Sequence, residues 1–496
     1  MSGGALHEVD VDREYKLLIG GHWVTPGDGT YEIVNPATEQ VVGHAPNAST
    51  ADAEAAAEAA AAAFPAWSRT TTDERAALLN KAADLLDQRY KALVPLVQAE
   101  TGATLRVTKQ MQVPMAAVRL RRYAKGIAAE QFIPVEPGVM PTTALAPGGI
   151  IGGVARRAPV GVVACITSYN FPLTNMAGKI GPALAMGNTV VVKPAPQDPL
   201  GIVAMAEVFT EAGFPPGVVN FVVSQGPGPA ETLVASPHVD MVSFTGSTGV
   251  GRQIGSVAGG SMKRLLLELG GKGAAIVFDD ADIKTAVTGI TSVWAFHSGQ
   301  ICTSPTRVLA QRGIYDQLVA ALAKAAGRFA VGDPLEAETV VGPVITSVHR
   351  ERIGSYIQSA RDEGGTIAAG GNLVDVGGTG FYVEPTLIAD CKPGMRVIQE
   401  EIFGPVISVV PFDDADDVVA LANGTDFGLY DYVFSTDTAK AYAVAQQLRT
   451  GNVGINTVQR NHELPFGGFK QSGVGRDGGR FGFHAYAELQ SIVFPS

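Results

Sequence analysis

The sequence predicts an α/β protein built from two doubly wound α/β domains and an extended β element. Three observations carry this. From Pro159 onward, short runs rich in valine and isoleucine alternate with stretches of helical character, the pattern of right-handed βαβ units around a parallel sheet. A second such series begins near Glu268. At 496 residues the chain is too long for one simple core, so two large domains and an accessory element are expected.

Taken in order, residues 31–38 hold a short strand and turn, and Ser49-Thr50-Ala51-Asp52 caps an alanine-rich helix through Ala63. Further helix is expected from Thr72 to about Arg122, with apolar residues at helical spacing around Leu78, Leu79, Leu85 and Leu86. In the first βα series, strands are expected at 160–166, 188–193, 218–223 and 240–244, helices at 176–184 and 201–212, and a helix opening at Thr248. In the second, strands are expected at 274–278, 307–311, 406–411 and 452–456. The Pro/Gly-rich stretch 134–153 suits no helix and reads as an extended arm or hairpin, and the tail 486–496 is strand-like.

Composition excludes several classes of function. A net charge of −11 disfavours nucleic-acid and anionic-membrane partners. No 18-residue apolar run occurs, and the acidic start Met-Ser-Gly-Gly-Ala-Leu-His-Glu-Val-Asp reads as no leader. Three scattered cysteines give neither a disulfide framework nor a metal pair, so a cytoplasmic protein without a bound metal is expected. Cys165 lies in an apolar strand-like run, and Cys391 closes another; both read as structural. Only Cys302 sits in a polar, Gly-rich segment, Phe296-His-Ser-Gly-Gln-Ile-Cys302-Thr303-Ser304.

A thiol can form a covalent intermediate with a carbonyl, and a carboxylate such as Glu268, in Glu268-Leu-Gly-Gly-Lys272, can activate water. Phe244-Thr-Gly246-Ser247-Thr-Gly-Val-Gly251 is a strand running into a Gly/Ser-rich helix start, where free N–H groups suit a pyrophosphate. The common Gly-x-Gly-x-x-Gly fingerprint does not follow the first strand. A hydrolase elbow Gly-x-Ser-x-Gly is not placed after a strand either.

These phrases, with Lys193-Pro-Ala-Pro196, Glu400-Glu401-Ile-Phe403-Gly-Pro405 and Pro465-Phe-Gly-Gly-Phe-Lys-Gln-Ser-Gly-Val-Gly-Arg-Asp477, resemble the aldehyde dehydrogenase superfamily over nearly the whole chain. The resemblance implies an NAD(P)-dependent enzyme that oxidises an aldehyde to the free acid. Cys302 would be the nucleophile, Asn170 the side-chain donor to the oxyanion beside the Cys302 N–H, Glu268 the base that activates water, and Lys179 a positioning or relay group. Glu268 disfavours the CoA-acylating branch. Cofactor contacts are implied for Ile166, Thr167, Lys193, Pro196, Gly226, Phe244, Gly246, Ser247, Gly251, Leu269, Glu401 and Phe403. Many NAD-preferring members have Glu where this chain has Pro196, so NAD is expected with NADP possible. Domains are expected at 1–129 with 159–267 (dinucleotide-binding) and 268–465 (catalytic). Segments 130–158 and 486–496 would form the arm and tail of a homodimer or homotetramer.

Phe171, Gly178, Phe296, Ile301, Thr303 and Gln459 are expected to line the substrate tunnel. Relatives carry a bulky aromatic where this chain has Gly178, which suggests a wide, partly polar tunnel for a bulky or aromatic aldehyde, unless a neighbouring side chain fills the space. Gln459, Arg460, Asn461 and His462 would border its mouth. Alternatives are a semialdehyde dehydrogenase, a thiol esterase, or a non-catalytic binding protein on the same fold.

Overall fold

The computed structural model describes residues 9–495; the expectation about the first eight residues lies outside them. Ser49 caps the helix Thr50–Trp67 in a capping box with Asp52, as the sequence indicates. The helical block that follows is not continuous. It divides into Thr72–Gln88, Tyr90–Thr101 and a third stretch that starts at Leu105–Val107, widens through a π-helical turn at Thr108–Gln112 and continues as Val113–Gly126. Gly102 ends the second helix at φ +66°, where a Cβ would press on Pro36 and Pro343; glycine is the residue suited to that left-handed cap.

The first sheet has eight strands. Its centre is parallel, in the order Val219–Phe221, Thr189–Lys193, Val162–Ile166, Met241–Thr245 and Arg264–Glu268. Antiparallel strands Leu17–Ile19, His22–Val24 and Gly473–Val474 complete the edges. Central strands buried on both faces read as continuous apolar runs, and Val162–Ile166 and Thr189–Lys193 are buried throughout. The chain leaves Val162–Ile166 toward Thr189–Lys193 on one side and later adds Met241–Thr245 on the other. This reversal of strand order opens a crevice at the strands' carboxyl ends, where such sheets bind ligands. At those ends stand Ile166, Lys193 and, one residue further along their strands, Thr245 and Glu268.

The second sheet has seven strands, in the order Thr366–Ala369, Thr386–Ala389, Val406–Phe412, Arg307–Gln311, Ala274–Val277, Tyr430–Phe434 and Asn452–Ile455. All pairs but the first are parallel. Alternate residues feed two cores: Ala274, Ile276 and Leu309 pack on one face, Ala275, Val277 and Val308 on the other. The segment read as an arm is a hairpin of Phe132–Met140 and Gly149–Pro159, and Ala487–Pro495 adds to it as a third strand, pairing Ala487 with Pro159 through Pro495 with Ile151. The tail's partner is therefore a strand of its own chain. No described helix is long and apolar enough to cross a membrane.

Candidate active site

One cavity of about 1010 Å³ runs from the carboxyl ends of the first sheet to a loop ahead of the second, lined by Glu268 and Cys302 among others. Glu268 is the last residue of its strand. Cys302 stands between a short turn of helix, Phe296–Gly299, and the strand Arg307–Gln311. His297 and Ser298 hold φ of +48° and +56°, an uncommon region for side-chain-bearing residues that is held only by its surroundings. Ser298 Oγ donates to the Gly342 carbonyl at 2.7 Å. Gly271 permits the approach of the Cys302 carbonyl, which a Cβ there would strike.

Cys302 is partly exposed to the cavity, whereas Cys165 and Cys391 are buried. Its thiol is pushed up to about 12, by burial first and then by the negative charges of Glu401 and Glu268, against the pull of Arg460. It is therefore protonated at neutral pH until a base or a change in its surroundings removes the proton. Glu268 is buried, and neither carboxylate oxygen has a hydrogen-bond partner. Burial, then Asp477, holds it well above the usual carboxylate range, with Lys179, Arg476 and Arg460 opposing. A buried carboxyl without fixed donors can take a proton from water when one is bound.

Asn170 Oδ1 is fixed by Ser168 Oγ at 2.8 Å and Asn175 Nδ2 at 3.3 Å, and its Nδ2 donates to the Gln300 carbonyl at 3.0 Å. An amide nitrogen has two hydrogens, so one remains for a ligand on the cavity side. Lys179 Nζ donates to Ser243 Oγ at 3.1 Å, which in turn meets Tyr486 OH at 2.7 Å. Burial lowers its proton affinity, while Asp477 raises it.

At the other end, Ser247 caps the helix Thr248–Gly259. Gly226 has open space where a Cβ would stand, and the buried Thr167 Oγ1 has no partner. Lys193 Nζ reaches the Ser224 carbonyl at 3.4 Å; burial lowers its affinity for a proton to about 8. Glu401 rests on Gly270 and Gly271, accepting from the Gly271 N–H at 2.9 Å. Phe403, at φ +61°, is packed edge-on by Tyr169 at 5.8 Å, and its carbonyl accepts from His349 Nε2 at 2.7 Å. An open glycine cradle, a capped helix N-terminus and an unpartnered hydroxyl fit a dinucleotide with its pyrophosphate.

Of the residues expected at the site, all but three line this cavity. Gly178 does not: the Arg119 guanidinium occupies the space where its Cβ would be, so the missing aromatic is replaced by a cation rather than by open width. Gly251 does not either; it packs against the Leu269 side chain. Asn461 likewise stands away from the cavity, although Gln459, Arg460 and His462 line it. Met111, Met115, Arg119, Arg122, Tyr123 and Asp477 line it without having been singled out as site residues. Arg119 and Arg122, three apart on one helix, were the available signal. Glu54, Glu58 and His238 meet at the surface elsewhere, an exposed grouping outside the cavity.

A profile of the aldehyde dehydrogenase family matches residues 23–492. A betaine aldehyde dehydrogenase of Mesorhizobium japonicum is 38% identical over 481 residues, covering 96% of each chain. A geranial dehydrogenase of Castellaniella defragrans is 37% identical over 485 residues, covering 97% of this chain and 99% of its own. Among solved structures, a betaine aldehyde dehydrogenase from Staphylococcus aureus in complex with NAD+ superposes with a TM-score of 0.92 at 34% identity, covering 97% of this chain and 95% of that one. An NAD-dependent aldehyde dehydrogenase from Sinorhizobium meliloti gives 0.91 at 36%, covering 98% and 95%.

Proposed function

The chain belongs to the aldehyde dehydrogenase family, and from that premise we propose that Cys302 and Glu268 divide the oxidation of an aldehyde to its acid between them. The protein is an NAD-dependent oxidoreductase acting on aldehydes. The observation that carries the division of labour is one cavity lined by a half-buried cysteine, a buried unpartnered carboxylate and a dinucleotide cradle.

The Cys302 thiolate adds to the carbonyl carbon, and the resulting oxyanion is met by the free Asn170 Nδ2 hydrogen and the Cys302 N–H. Glu401, Phe403 and the 244–247 phrase would hold a nicotinamide, which when bound would accept the hydride from the adduct's carbon. Cys302 then carries the acyl group as a thioester. Glu268 takes a proton from water, the water oxygen attacks the thioester carbon, and the acid leaves as the thiol re-forms. Absorbance of reduced cofactor on mixing protein, NAD+ and aldehyde tests this reading; aldehyde-independent esterase turnover without NAD+ reduction would favour the thiol-esterase alternative.

Cofactor choice is read at Pro196, which lines the cavity beside Lys193. With no carboxylate at that position to repel a 2′-phosphate and Lys193 the nearby cation, the site accepts NADP+ as well as NAD+. Pro196→Glu is expected to weaken NADP+ relative to NAD+ by about tenfold or more, measured as the ratio of kcat/KM values. An equal change for both cofactors would show that this position does not sense the 2′-group.

The protein assembles as a homo-oligomer through its three-stranded arm. Phe132, Val135, Val139, Met140, Ile150, Leu489, Val493 and Phe494 stand exposed there, and the outer strands leave free backbone edges. Light scattering at micromolar concentration is expected to give a dimer or tetramer; a monomer would contradict it. Its three unpaired cysteines suit a reducing cytoplasm; recovery in a cell's membrane fraction would oppose that placement.

A further inference from the structure

The wall of the cavity on the substrate side is cationic beyond what the oxidation uses. The helix Val113–Gly126 brings Arg119 and Arg122 to it, and the loop after Asn452–Ile455 brings Arg460 and His462. Arg119 Nη1 donates to the Thr174 carbonyl at 3.0 Å and lies over Gly178. The Arg460 guanidinium carbon sits 3.8 Å from the centre of the Phe466 ring. Arg122 has a carboxylate of its own, Glu463 at 2.8 Å. Among the described residues, neither Arg119 nor Arg460 forms an ion pair.

Two guanidinium groups drawn out of bulk water without a counter-ion are costly unless an anion joins them. Their mutual repulsion is visible: burial first, then Arg119, lowers the proton affinity of Arg460. Burial first, then Arg460, Arg122 and Arg119, lowers the proton affinity of His462, with Glu463 opposing. Asp477 lines the same cavity and acts on Arg460 only weakly, after Arg119, Cys302 and Tyr430. Its Oδ1 is already taken by Tyr123 OH at 3.2 Å and the Gly478 N–H at 2.6 Å. Around the cationic pair and Cys302 the walls are apolar or aromatic: Phe171, Phe296, Ile301, Val458 and Phe466. Phe171 and Phe296 stack at 6.4 Å.

We propose that Arg119 and Arg460 bind a carboxylate at the far end of the substrate, so that the preferred substrates are aldehydes bearing a terminal carboxylate on an apolar or aromatic spacer. This rests on the dehydrogenase reading above and narrows it. Guanidinium forks match carboxylates in geometry and charge, and the rings on either side hold the spacer.

The test compares 4-formylbenzoate with its neutral counterpart methyl 4-formylbenzoate, in the wild type and in Arg119→Gln and Arg460→Gln. The acid is expected to exceed the ester in kcat/KM by about 10- to 100-fold, and each substitution to cut that ratio by about tenfold. Ester turnover reports the oxidation machinery separately, so its loss would count against the Cys302 chemistry instead. Binding to Cys302→Ala by calorimetry, with NAD+ present, gives a readout that needs no turnover: tighter binding of the acid, lost on adding Arg460→Gln, supports the site. Equal handling of acid and ester, or a preference that both arginine substitutions leave intact, overturns it.

Discussion

Replacing Cys302 with alanine is expected to lower aldehyde-dependent NAD+ reduction by a factor on the order of 10⁴ or more, the scale seen when a covalent nucleophile is lost. No other thiol can stand in. Cys165 is fully enclosed in the central strand and Cys391 is buried in the second domain's core, and neither lines the cavity. NAD+ affinity should stay within about threefold, because the cradle at Ser247, Gly226 and Glu401 is built without the thiol. Stopped-flow absorbance and calorimetry check the two halves. Turnover near the wild-type rate would show that another group attacks the aldehyde.

Glu268→Gln is expected to leave a first-turnover burst of reduced cofactor and to slow steady turnover by about 10²- to 10⁴-fold, the usual contribution of a positioned general base. The pH dependence separates this from a packing defect. Burial holds the Glu268 carboxyl well above the usual range, so its base form grows in at higher pH than that of an ordinary carboxylate. Wild-type deacylation should therefore rise with pH over a range displaced upward from that of an ordinary carboxylate. In the glutamine variant the residual rate should lose that rise. An unchanged slope would place the titrating group elsewhere.

The central parallel strands could be read directly because Val162–Ile166 and Thr189–Lys193 are buried on both faces and carry no polar alternation. Three-residue strands such as Leu17–Ile19 and His22–Val24 are too short to show a period. Tyr430–Phe434 hides behind Asp431, a buried carboxylate that earns its place by accepting the Ala274 N–H at 2.7 Å. Most of the residues that line the cavity could be read from the phrases around them. What occupies the space at Gly178 could not, because it comes from Arg119, on a helix far off in sequence. Local pattern carries which positions are apolar or glycine; which distant side chain enters a gap is settled only by packing.

The most direct test of the account is the fate of the acyl group in Glu268→Gln. The variant is mixed with benzaldehyde and NAD+, quenched in acid after the burst, digested and read by peptide mass spectrometry. The account predicts a benzoyl mass on the peptide containing Cys302, in an amount equal to the reduced cofactor formed in the burst. A burst with no adduct, or an adduct on Cys165 or Cys391, would contradict it.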